Sequence, residues 1–328
     1  MQQTNRPIRY YGSLAEILKS LVLEKQAVGY KYQKEAATLK RFDNLCVSED
    51  HTELCLTKKL VLMWTEKQPH ETENTRQNRI SLIRILGSYM IKTGYDAYVY
   101  PARMERIVGS RYIPYIFSKD ELASIFNQVD NCPSHIMSPN RHRILPLLFR
   151  MLYGCGLRIS EALGLRVEDI LLDDGTLKIV EPKFGVDRLI PLCASLSAHC
   201  REYMQKVHVV NDPEEYFFPS PVGGKYDEST MYHYFRRFLW EAGISHGGRG
   251  KGPRLHDIRH TFAVHCLKRW VLKGVDLSAV LPYLSTYLGH TGLKSTQYYL
   301  RLTAELYPDI VSAVEAKFGE LIPGGDEL

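Results

Sequence analysis

Residues 152–165 read LYGCGLRISEALGL. Two glycines let the chain turn sharply, and Arg158 and Glu161 then fall three apart, one helical turn. An Arg–Glu pair at that spacing is ordinary on a helix surface, worth about 0.2–0.5 kcal/mol. Three later stretches give it weight. In 169–192, Asp173-Asp174-Gly175 is a turn signal and Leu177-Lys178-Ile179-Val180 alternates. Leu189-Ile190 resumes after a polar turn that holds Lys183, so a small antiparallel sheet is expected. His256-Asp257-Ile258-Arg259-His260 places His256 and Arg259 on one helix face. Leu288-Gly289-His290 is followed nine residues on by Tyr299, within Gln297-Tyr298-Tyr299.

The rest of the chain supplies the frame. Its 328 residues suffice for two domains, each with its own core. The first hundred residues read as four helices. Ser13 and Glu16 have capping-box spacing, Leu14, Ile17, Leu18, Leu21 and Val22 follow at helical intervals, and Gly29 is a natural stop. A second helix is expected over 32–46, with Ala36, Leu39, Phe42 and Leu45 on one face. A third starts near Thr57, and a fourth covers 72–93 with Ile80, Ile83, Leu86, Tyr89 and Met90 inward. Residues 95–115 hold Pro101, Gly109 and Pro114 and read as a linker. Ser118 and Glu121 repeat the capping-box spacing and open a second region. The expected fold is mainly α: a four-helix domain over 1–110, then a mostly helical domain over 116–328 with a small antiparallel sheet. Residues 244–253, ISHGGRGKGP, read as a mobile basic loop.

Composition excludes several classes. Hydrophobic residues are 45% and charged residues 24%, which excludes a disordered or collagen-like chain. No uncharged apolar run approaches the ~18 residues of a membrane helix. The N-terminus lacks the apolar core of a signal peptide, so a cytoplasmic protein is expected. Seven cysteines at wide spacing, without a C-x-x-C pair, read as reduced thiols and offer no zinc pattern. Net charge is +5, and residues 1–110 hold the whole excess, with 17 basic and 12 acidic side chains. Such a balance is compatible with a polyanion partner without requiring one.

In order, Arg158, Lys183, His256-x-x-Arg259, His290 and Tyr299 resemble the tyrosine recombinase (phage integrase) family. The likeness includes G-L-R-x-S-E-x-L-x-L, L-H-D-I-R-H-T-F-A, L-G-H and Q-x-Y, across about 150–302. The N-terminal helices are similar in size and position to that family's core-binding domain. The resemblance implies a phosphodiester in double-stranded DNA as substrate and Tyr299 as nucleophile, forming a 3′-phosphotyrosine and a free 5′ hydroxyl. Two guanidiniums, Arg158 and Arg259, suit the non-bridging oxygens, since neither loses its proton. Lys183 is the expected general acid for the leaving 5′ oxygen, with Lys178 as the alternative. His256 and His290 donate to the phosphate or help move the Tyr299 proton. Glu161 orients Arg158, His260 is supporting, and Tyr298 is a packing residue. No cofactor, metal or ATP is implied.

Exchange between two duplexes needs four tyrosines, so the resemblance also implies a homotetramer on two DNA sites, with other recombinases or accessory proteins as further partners. The amphipathic C-terminal segment, with Leu306, Ile310, Val311 and Val314, docks on a neighbour or packs on its own domain. Integration and excision of a mobile element is the expected role. Chromosome-dimer resolution, type IB topoisomerase-like relaxation, a non-catalytic DNA-binding accessory and a helical protein without a DNA role stand as alternatives.

Overall fold

Leu18, Leu21, Leu39, Phe42, Val61, Leu86 and Met90 form the centre of the first core, and the helices that carry them follow from their spacing. They are α1 (Ala15–Ala27), α2 (Gln33–Ser48), α3 (Lys58–Thr65) and α4 (Glu73–Lys92). The structure is a computed structural model and describes residues 8–101, 112–180, 187–210, 212–248, 251–290, 292 and 294–306. The chain divides into two compact units, residues 2–112 and 113–328. No described helix is long and apolar enough to cross a membrane.

One sequence expectation fails in the first unit. Ser13 and Glu16 do not form a capping box: Leu14 precedes α1 and no side chain caps it. Buried Asp43, on α2, does the anchoring instead. It accepts the N–H groups of Tyr11 at 2.7 Å and Gly12 at 2.8 Å, and pairs with Lys40 at 2.8 Å. A carboxylate takes backbone N–H bonds more strongly than a hydroxyl does. The buried face of α2 runs through Ala36, Leu39, Phe42, Asp43 and Cys46, and half-buried Leu45 packs against the same core. Thr57 and Thr72 cap α3 and α4 through the N–H groups of Leu60 and Thr75. Arg79 on α4 is buried, pairs with Glu71 at 2.6 Å and donates to the carbonyls of Trp64 and Glu66, closing the α3–α4 connection.

In the second unit the Ser118–Glu121 capping box forms as its spacing predicts. Glu121 N–H donates to Ser118 Oγ at 3.1 Å, and Ser118 N–H to Glu121 Oε2 at 2.8 Å. This opens α5 (Lys119–Asp130), followed by α6 (Arg141–Gly154) and the short α7 (Ile159–Gly164). Strands β1 (Ile170–Leu171), β2 (Thr176–Ile179) and β3 (Arg188–Pro191) form an antiparallel sheet in the order β1-β2-β3. Leu177 pairs with Ile190 and Ile179 with Arg188. Helices α8 (Ala194–Val207) and α9 (Glu228–Glu241) complete a core around Phe117, Phe149, Phe235 and Phe238. Helices α10 (Asp257–Leu272), α11 (Leu277–Tyr287) and α12 (Lys294–Leu306) share a further cluster that includes Val264, Leu267, Leu284, Leu288 and Tyr299.

The glycines before Arg158 act through Gly156, whose φ is +60°. A Cβ there would lie 2.4 Å from the Phe262 ring, so both the turn and the close approach of α10 require glycine. The loop after α9 is less free than its composition suggests. Arg236 on α9 donates to His246 Nδ1 at 2.8 Å, as does the Gly248 N–H at 3.1 Å. The loop is thereby pinned at its near end.

Candidate active site

Glu161 is the hub of the site. Its carboxylate is buried on α7 and meets three guanidiniums: Arg158 Nη1 at 2.5 Å, Arg188 Nη2 at 2.8 Å and Arg259 Nη1 at 3.7 Å. It also accepts the Arg158 N–H at 2.8 Å, because Arg158 sits at the position preceding α7 and not within it. Burial alone would raise the carboxyl pKa. The hydrogen bonds from Arg188 and the Arg158 N–H, with the charges of Arg188 and Arg259, outweigh it and hold Glu161 below the ordinary carboxylate range.

Main-chain carbonyls aim the arginines further. Arg158 Nη2 donates to Gly289 O at 3.0 Å. Arg259, only 2% exposed on α10, donates to Gly156 O at 2.9 Å and to Leu288 O. Three elements distant in sequence are thus tied together: the turn before α7, the first turn of α10 and the end of α11. Burial, then the neighbouring Arg158, lowers the Arg259 pKa to about 10, so it remains charged at neutral pH.

Tyr299, on α12, is 2% exposed. Its hydroxyl lies 2.9 Å from His260 Nδ1. Burial raises the phenol pKa, against the opposing influence of Arg259, so the group holds its proton. His290 stacks on the Tyr299 ring with centroids 5.9 Å apart and planes 18° from parallel. Its Nδ1 lies 3.0 Å from Thr296 Oγ1. His256 stands at the start of α10, open to solvent, with its ring edge-on to His260 at 4.8 Å between centroids. Crowding by protein lowers the His256 pKa to about 4, and Arg259 and Arg158 act in the same direction whatever the solvent access. His290 is lowered to about 4 by burial, then by Arg259 and Arg158. Burial, His256 and Arg259 lower His260 to about 3. All three imidazoles are neutral at pH 7.

Arg158, Glu161, Arg259, His256, His260, His290 and Tyr299 therefore come together, joined through direct contacts. Lys183 lies outside the described residues. Lys178 is on the exposed face of β2 and pairs with Asp187 at 3.6 Å. Tyr298 is half-buried, its ring 6.3 Å from that of Tyr299.

Sequence reasoning missed Arg188, which lies just before Leu189-Ile190. Besides Glu161, its Nε bonds the carbonyl of Tyr287 at 3.0 Å. A Cβ on Gly289 would lie 2.9 Å from its guanidinium. A signal was present: on a strand, Arg188 shares a face with buried Ile190, and a charge on a buried face needs a partner. His260 was read as merely supporting, yet it makes the contact with the tyrosine hydroxyl.

Residues 116–305 match the phage integrase family. The protein designated integrase/recombinase y4rB, of Sinorhizobium fredii, is 27% identical over 301 residues, covering 90% of this chain and 94% of its own length. The tyrosine recombinase XerA of Pyrococcus horikoshii is 29% identical over 245 residues, covering 74% of this chain and 75% of that protein. A lambda integrase dimer bound to a COC′ core site has a similar fold, with a TM-score of 0.60 at 17% identity over 87% of this chain and 94% of that one. With well over half its length inside the family match, the chain belongs to the phage integrase family and is a site-specific recombinase of the tyrosine type.

Proposed function

We propose that this recombinase cuts and rejoins duplex DNA through a 3′-phosphotyrosyl bond at Tyr299, in the integration and excision of a mobile element. The observation that carries the reading is the meeting of buried Tyr299 and Arg259 with three imidazoles, tied by Glu161 to Arg158. Arg158 and Arg259 bind the non-bridging oxygens of the scissile phosphate and stabilise the charge that grows there. Phenolate is a fair leaving group, so the ester it forms is reversible and the strand is resealed without an energy source. His256 and His290 donate to the phosphate. Lys183 protonates the departing 5′ oxygen. Arg188 keeps β3, and with it the hairpin, in register with Glu161. The N-terminal helices, with their basic excess, supply the second DNA-binding surface, and affinity falls as salt rises. The working form is a homotetramer on two sites, in the cytoplasm. The similarity to a protein named integrase/recombinase over nearly its whole length supports the mobile-element role.

The test is covalent trapping. Nicked duplexes cut from DNA flanking the gene are incubated, without metal, with wild-type protein and with Tyr299→Phe. A denaturation-resistant adduct is expected with wild type alone, mapping to Tyr299 with a 3′ phosphate. An adduct that persists in Tyr299→Phe overturns the assignment.

A further inference from the structure

The Tyr299 phenol holds its proton in the resting enzyme and must lose it to attack phosphorus. Tyr299 is almost fully buried, so bulk water is a poor acceptor. Arg259 is close by, but a guanidinium has no lone pair to accept a proton. His290 stacks nearly parallel to the phenol, with centroids 5.9 Å apart, and among the described residues no hydrogen bond joins it to the phenol oxygen. Its Nδ1 is already engaged with Thr296. His256 stands one ring further out, against His260. His260 alone among the described imidazoles has a ring nitrogen within hydrogen-bond distance of the Tyr299 hydroxyl, at 2.9 Å.

We propose that His260 is the general base that takes the Tyr299 proton on Nδ1 and returns it when the strand is rejoined, leaving His256 and His290 to the phosphate. This rests on the reading of Tyr299 as nucleophile. In the forward step the Tyr299 O–H bond breaks and its proton passes to Nδ1. The Oη–P bond forms and the P–O5′ bond breaks. The 5′ oxygen leaves with a proton from the general acid assigned to Lys183. In the return step the 5′ hydroxyl gives its proton back to that general acid and attacks phosphorus, the Oη–P bond breaks, and the His260 imidazolium protonates the departing phenolate.

The surroundings suit this role. The groups facing His260 are His256, His290, Arg259 and Tyr299. In the empty site they and burial keep the imidazole neutral, with a lone pair open toward the phenol. A phosphodiester bound by Arg158 and Arg259 brings negative charge, which favours the imidazolium. Basicity therefore rises when substrate is in place.

Two measurements test the proposal. In the wild-type free protein, 15N chemical shifts of His260 should show Nδ1 unprotonated and Nε2 protonated at pH 7. A proton on Nδ1 would reverse the hydrogen bond and overturn the proposal. The second measurement is the rate of covalent adduct formation on the nicked flanking duplex. His260→Gln should be slower by roughly 100-fold or more, the usual range for a lost general base. Replacing Tyr299 by 2,3,5-trifluorotyrosine gives a more acidic phenol that depends less on a base, and the penalty of His260→Gln should then shrink to under about 10-fold. His256→Ala, acting at the phosphate, should keep its full penalty. A His260→Gln penalty that the fluorinated phenol leaves unchanged would make His260 a packing residue and sink the idea. If wild type itself forms no adduct, the nucleophile reading fails, and this proposal with it.

Discussion

Glu161→Gln removes one negative charge from the centre of three guanidiniums and leaves the side-chain shape unchanged. In the wild type, Arg188 is about as buried as Glu161, Arg259 is more buried, and Arg158 is about one-third exposed. Removing one partner of a buried ion pair costs about 3–5 kcal/mol, since the remaining charge is left uncompensated. Solvent at Arg158 and the surviving amide oxygen reduce that, so about 3 kcal/mol is expected. For a unit of some 200 residues, 1 kcal/mol corresponds to roughly 2–4 °C, so the second unit should melt about 6–12 °C lower. The same variant should bind a phosphate-containing duplex with undiminished or higher affinity, because the phosphate now supplies the missing negative charge. Adduct formation should nevertheless slow, since Arg158 loses its aim. Differential scanning calorimetry with and without the flanking duplex reads both effects. If Glu161→Gln melts within 2 °C of wild type, the hub argument is refuted.

Gly156→Ala should destabilise the second unit by roughly 2–4 kcal/mol, because its Cβ collides with Phe262 at a positive φ; chemical denaturation measures this, and a change under 1 kcal/mol contradicts it. Arg188→Ala should slow adduct formation by about 10- to 100-fold with duplex affinity nearly unchanged, in gel-shift and trapping assays run together; unchanged cleavage would leave Arg188 without the positioning role. Stability should fall in acid. His256, His260 and His290 are held below their ordinary 6.5, so the unfolded chain binds protons first; their contribution is full above about pH 6.5 and is lost as pH falls toward 4 and 3. Melting temperatures flat between pH 7.5 and 4.5 would contradict that sign.

The site was legible in sequence to the extent that its chemistry lies in short fixed spacings. His256-x-x-Arg259 and the nine-residue step from His290 to Tyr299 each lie on or beside a single helix, where spacing dictates placement. The same holds for Ser118 and Glu121. What was not legible depended on partners far along the chain. Ser13 and Glu16 have identical spacing to Ser118 and Glu121, but the chain entering α1 is held at Tyr11 and Gly12 by Asp43, about thirty residues away, and the helix starts after Leu14. Arg188 and Glu161 are brought together only because β3 packs beside α11 and the Arg188 side chain reaches across to α7, a contact that no local pattern encodes. His260 was visible as a residue, but its direction was not, because that is set by where α12 packs on α10.

The depth of Tyr299 also bears on how a reaction ends. A protein–DNA ester is only as durable as its isolation from water, the one nucleophile always in excess. Were the linkage formed on the surface, hydrolysis would turn some fraction of crossings into permanent breaks. If Tyr299 is the nucleophile, as proposed, its burial among α10, α11 and α12 would keep bulk water from the ester and leave the incoming 5′ hydroxyl as the favoured reactant. An interrupted reaction would then wait or run backward and not leave a severed strand.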